Sequence, residues 1–178
     1  MPDIYLWLTG GDATDTVSYQ TIMKYVNTTE QGESLALRLL IHYYGDVHQP
    51  LHTSDRYTKD LPNGDKGGND FPLKGHYTAN ELHAVWDTVI YTYHTTPKRP
   101  FTAETFADQG VVADDLKSRF SFTKSDTETA NFGKFRDESY KIAVTVYDGL
   151  TPGKDQVVPD SYIGKFQPIA QKRVALAA

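Results

Sequence analysis

Two His–Asp pairs, each four residues apart, constrain this chain most: His42 with Asp46, and His83 with Asp87. Residues at that spacing share one helix face, about 40° apart around the axis. The first pair extends the stripe of Leu35 and Leu39, at spacings of 4, 3 and 4, which predicts a helix from about Ser34. A carboxylate on a core-facing stripe is costly to bury unless something compensates it. A metal ion does so, and helical bundles build metal sites from inward side chains on facing helices. Neutral imidazole nitrogen with carboxylate oxygen is a ligand set that suits zinc.

The first pair runs into His48-Gln-Pro-Leu-His52. On an unbroken helix His52 would lie about 80° behind His42, on a different face. Pro50 removes a backbone donor and clashes with the carbonyl of Asp46, so the helix should end or kink there and turn His52 back toward the pair. His48, about 120° around from His42, is expected to face solvent or to support a ligand. His76 and His94 lack supporting spacing, although His94 shares the helical face of His83. Trp86 reads as core, and Tyr43, Tyr44, Tyr91 and Tyr93 as core or rim. A lone His on an apolar stripe is usually a hydrogen-bonded core residue; two such pairs with His52 beside a helix break point to metal.

The remaining pattern predicts an all-α chain with a single domain over 1–178. A short helix is expected within 18–27. Residues 53–77 read as a polar loop with turn chemistry at Pro62-Asn-Gly-Asp and Lys66-Gly-Gly-Asn-Asp, placed to form part of the site wall. Thr78 is the expected N-cap of a second helix over 79–93, carrying His83, Asp87 and Ile90 on one face. A third spans 103–120, and the capping-box pattern Ser125-Asp-Thr-Glu128 predicts a long helix ending near Gly149. Residues 166–178 read as helical without a Gly or Asn cap, as in a chain cut inside a helix.

There are no cysteines, so disulfides and thiolate metal sites are excluded. The net charge of −5 argues against a broad basic face for nucleic acid, although bound zinc would supply positive charge where a phosphate would sit. No apolar run approaches the roughly 18 residues that span a bilayer. The opening Met1-Pro-Asp-Ile lacks the basic region of a signal peptide.

Three stretches together resemble the S1/P1 nuclease family, in its order and at compatible spacing. They are Ile41-His-Tyr-Tyr-Gly-Asp-Val-His-Gln-Pro-Leu-His52, Gly64-Asp-Lys-Gly-Gly-Asn69 and Asn80-Glu-Leu-His-Ala-Val-Trp-Asp87. Weaker likeness continues through Arg136-Asp-Glu-Ser-Tyr140, so the resemblance covers most of the chain from about residue 34. It implies a multi-helix phospholipase C/P1 nuclease-like fold with up to three zinc ions at the bottom of a cleft. The implied activity is cleavage of single-stranded DNA and RNA and removal of 3′-phosphates from nucleotides. The implied protein is a secreted or lumenal monomer that does not associate with membranes.

Position by position, His42 resembles a ligand of one zinc of a closely spaced pair, and Asp46 the carboxylate bridging that pair. His52, His83 and Asp87 resemble the protein ligands of the third zinc. In such chemistry zinc binds phosphate oxygens, acidifies a water and stabilises the leaving oxygen. The family's N-terminal Trp, and the His, Asp and His that precede the stretch matching His42, have no counterpart here. The expectation is therefore an N-terminally incomplete chain with one nearly complete zinc site and weak activity or none. Two rivals follow: a zinc phospholipase C, whose last ligand pair tends to end in Glu rather than Asp87, and a non-catalytic zinc-binding remnant.

Overall fold

The computed structural model describes residues 1–95, 97–127 and 130–178, which contain eight α-helices and, apart from two isolated β-bridges, no sheet. The architecture is all-α. Helix α1 (Pro2–Leu8) starts with Pro at its first position, and α2 (Val17–Met23) is capped by Thr16, whose hydroxyl accepts from Tyr19 N. Both pack on α3 (Thr29–His48), burying Ile4, Trp7, Ile22 and Ala36 in one cluster. Gly32 permits the close approach, because a Cβ there would lie 2.8 Å from the Trp7 ring. Leu35 and Leu39 border this cluster, which orients the stripe continued by His42 and Asp46.

Helix α3 ends at His48, and Pro50 opens a 3₁₀ turn, Pro50–Thr53, as the sequence predicts. The break frees helix carbonyls, and buried side chains from two later helices meet them. These helices are α7 (Phe132–Ala143) and α8 (Asp160–Ala177). Ser139 donates to the carbonyl of Val47 at 2.5 Å, and Arg173 Nε to that of His48 at 3.1 Å. Arg173 is 5% exposed and also donates to Phe135 O, Ser139 Oγ and Glu138 Oε2, tying α3, α7 and α8 together. His48 is buried rather than solvent-facing: its ring packs 4.8 Å from that of Phe135 and bonds the Tyr44 carbonyl at 2.7 Å.

The second helical pair sits on α4 (Leu82–Asp87), much shorter than the predicted span 79–93. Thr78 does not cap it; Thr78 lies in a turn, across which residues 71–73 run back against 80–82 through Leu73 N–Asn80 O at 2.8 Å and Leu82 N–Phe71 O at 3.0 Å. Beyond Asp87 the helix cannot continue, because Val89, Ile90 and Tyr91 all adopt left-handed φ values of 53°, 50° and 68°. Ile90 is nonetheless fully buried, in the larger core with Leu51, Phe71, Leu82, Val85, Trp86 and Phe166. The Trp86 indole donates to Tyr162 Oη at 2.9 Å, so Trp86 is core as expected.

Helix α5 (Ala103–Arg119) matches its predicted span, with a Thr102/Thr105 capping box. The long helix predicted from Ser125 is instead two: α6 (Lys124–Thr127), then α7, started by the Asn131 side chain accepting from Lys134 N. Glu128 of the proposed capping box lies outside the described residues. Helix α7 stops at Ala143, before the β-branched run Val144-Thr145-Val146, where i→i+3 bonds replace the helical pattern. Helix α8 begins six residues earlier than the predicted 166 and accommodates Pro168 internally.

Candidate metal centre

Three neighbouring pieces of backbone deliver the candidate ligands. Asp46 comes from the last turn of α3, His52 from the 3₁₀ turn beyond Pro50, and His83 and Asp87 from α4. His52 stands between the two carboxylates: its Nδ1 is 3.6 Å from Asp46 Oδ1 and its Nε2 3.5 Å from Asp87 Oδ1. His83 Nε2 is 3.6 Å from Asp87 Oδ2. One ligand atom from each of His52, His83 and Asp87 lies within 4.8 Å of the others. Donors on a tetrahedral zinc, at about 2.0–2.1 Å from the ion, are roughly 3.4 Å apart, so this set fits such an ion after small side-chain movements.

His42 and Asp46 also meet, Nε2 to Oδ2 at 3.3 Å, but the His42 side chain is 68% exposed. Among the described residues this pair recruits no further His or carboxylate into a comparably tight group of three. His76 and His94 stand apart with aromatic partners: His76 edge-on to Tyr91, and His94 stacked on Tyr77 with ring centroids 3.5 Å apart.

The loop between the pairs does form one wall of the centre. His83 Nδ1 lies 2.8 Å from the carbonyl of Gly67. A carbonyl only accepts, so Nδ1 carries the hydrogen; in the neutral ring this leaves the lone pair on Nε2, which faces Asp87 and is the nitrogen free to ligate a metal. Gly67 has φ 63°, and a Cβ there would come within 2.3 Å of the Leu51 carbonyl oxygen. Only glycine fits at this contact between the loop and the 3₁₀ turn.

Gln49 spans the same joint from the other side, donating through Nε2 to Asp87 Oδ1 at 3.0 Å while Oε1 accepts from Leu51 N. Neither Gln49 nor Gly67 is selected by helical spacing; the available signal is their position inside two of the matching stretches.

The electrostatics follow from this packing. The Asp87 carboxylate raises the His52 pKa above its ordinary value, against the effect of burial and with help from Asp46. Burial alone would raise the Asp87 carboxyl, but contacts from His52 and Gln49 prevail and hold it below the usual carboxylate range. A cleft of about 1030 Å³ opens beside Asp46 and His52, walled by Ile4, Ile22, Leu39 and Phe132, with Arg136 also on its lining.

Residues 13–178 match the family profile described as S1/P1 Nuclease. Among curated proteins, the chain is 32% identical over 163 residues to Endonuclease 4 of Arabidopsis thaliana, covering 87% of this chain and 48% of that protein. It is 30% identical over 168 residues to Endonuclease 5 of the same plant, covering 88% and 49%. Nuclease S1 of Aspergillus oryzae is 24% identical over 176 residues, covering 90% and 58%. The chain thus spans about half the length of the curated relatives it matches. No solved structure matches it. With the profile covering nearly the whole chain, the protein belongs to the S1/P1 nuclease family.

Proposed function

We propose that the protein serves zinc-dependent hydrolysis of phosphodiester bonds in single-stranded DNA or RNA, with 3′-nucleotides as further substrates. The observation that carries this reading is the convergence of His52, His83 and Asp87 next to a cleft that also reaches Asp46, in a chain of this family. Bound zinc would supply Lewis acidity toward phosphate oxygens and lower the pKa of a water. The chain's own residues do the positioning: His83 presents Nε2 because Gly67 holds Nδ1–H, and Gln49 orients Asp87. Asp46, with His42 beside it, would hold metal on the α3 side, and that metal would meet the phosphate oxygens.

The cleft is largely apolar with one guanidinium, which suits a nucleotide better than a duplex: bases need apolar walls, and a phosphate needs a cation. With a net charge of −5, bound metal would supply positive potential at the point where a phosphate sits. The reading includes a secreted or lumenal monomer, carried over from the family resemblance. No helix among the described residues is long and apolar enough to cross a membrane.

The test is to incubate the zinc-loaded protein with denatured DNA, RNA and phosphatidylcholine vesicles. The expected result is slow cleavage of the nucleic acids, lost on chelation and in Asp46→Ala, with the lipid untouched. Hydrolysis of lipid but not nucleic acid would assign the chain to a phospholipase instead, and cleavage unaffected by Asp46→Ala would remove that residue from the chemistry.

A further inference from the structure

Asp65 is fully buried, which an ionisable carboxyl rarely is unless its bonds are satisfied. Its Oδ1 accepts from the Arg56 backbone N–H at 3.0 Å, and its Oδ2 from the Tyr147 hydroxyl at 2.6 Å. Its own carbonyl accepts from Asp70 N at 2.9 Å, closing the turn that contains Gly67 and Gly68. Two residues after Asp65, the Gly67 carbonyl takes the His83 Nδ1 hydrogen. The same turn meets α4 again through His83 N–Gly68 O at 3.3 Å. Tyr147 lies 82 residues from Asp65, in the turns after α7, and its ring is itself fixed: Phe71 meets it edge-on at 5.5 Å and the Arg56 guanidinium lies 4.7 Å above it.

We propose that Tyr147 and Asp65 are positioning residues for the metal centre: their bond clamps the turn whose Gly67 carbonyl sets the tautomer and orientation of His83. The physical need is specific. Gly67 already abuts the Leu51 carbonyl on one side, so the turn can only drift away from the 3₁₀ turn. The Asp65 side chain, held by a tyrosine 82 residues away in sequence, opposes that drift. Partners behind a ligating His commonly change metal affinity 10–100-fold when removed. Burial, the bond to Asp65 and its negative charge all keep the Tyr147 hydroxyl protonated, so it stays a donor throughout the working pH range.

The inference rests on the zinc reading above, and its test separates the two. Zinc affinity is measured by competition with a chromogenic chelator for the parent, Tyr147→Phe, Asp65→Asn and Tyr162→Phe. Tyr162→Phe deletes a buried hydroxyl that bonds Trp86 and Val146 but not the turn. Alongside, the His83 tautomer in the metal-free protein is read from imidazole nitrogen NMR shifts. The expected result is a loss of about tenfold in zinc affinity for Tyr147→Phe and Asp65→Asn, with His83 no longer uniformly Nδ1–H. Tyr162→Phe lowers the melting temperature yet binds zinc like the parent. Unchanged affinity and tautomer in Tyr147→Phe would overturn the clamp alone, as would an equal affinity loss in Tyr162→Phe. Absence of zinc binding by the parent would overturn both readings.

Discussion

His52 presents both ring nitrogens to carboxylates, 3.6 Å from Asp46 and 3.5 Å from Asp87, and this sets how the centre responds to pH. A metal must displace a proton from that ring, and the Asp87 contact raises the pH at which displacement becomes difficult. Zinc affinity should therefore fall by at least about tenfold per pH unit as pH drops below the raised His52 pKa, because at least one proton must leave per metal bound. Chelator competition at a series of pH values checks this; a pH-independent affinity through that range would contradict it. In the metal-free protein the signs run oppositely for the two partners. The raised His52 stabilises the fold at low pH and loses that effect as pH rises through its folded pKa, whereas the lowered Asp87 loses its contribution as pH falls through its own.

At the scale of elements, the centre depends on how α3 ends and how the glycine turn meets it. Gly67→Ala places a Cβ against the Leu51 carbonyl in a left-handed conformation. It should cost at least about 1–2 kcal/mol of stability and weaken zinc binding; a denaturant midpoint and a metal titration equal to the parent's would contradict this. Arg173→Met leaves the carbonyls of Phe135 and His48 without this partner and releases Glu138, so a loss of about 3 kcal/mol is expected in denaturant unfolding.

These joints also mark what the sequence reveals. Pro50 forces a break, so the return of His52 toward Asp46 is legible from chain chemistry alone. The termination of α4 is not, because Val89, Ile90 and Tyr91 take left-handed backbone while Val89 and Ile90 stay buried, a combination that periodicity does not contain. His48 misleads for a related reason: its helix face meets Phe135 of α7, and nothing local announces that partner. Gln49 and Gly67 act through bonds to Asp87 and His83 that span 38 and 16 residues, beyond any spacing rule.

For the whole molecule, the all-α frame brings Asp46, His52, His83 and Asp87 beside one cleft, with the larger core beneath α4 and the smaller one behind α3. A ligand that binds only the folded state stabilises it by mass action, so zinc at 100 times its dissociation constant should add about 2.7 kcal/mol to unfolding. The decisive measurement is zinc stoichiometry by elemental analysis of the parent, His83→Ala and Asp87→Ala proteins after zinc loading and desalting. Roughly one retained zinc per parent chain is expected, and none in either variant. A metal-free parent, or variants that retain zinc like the parent, would contradict this.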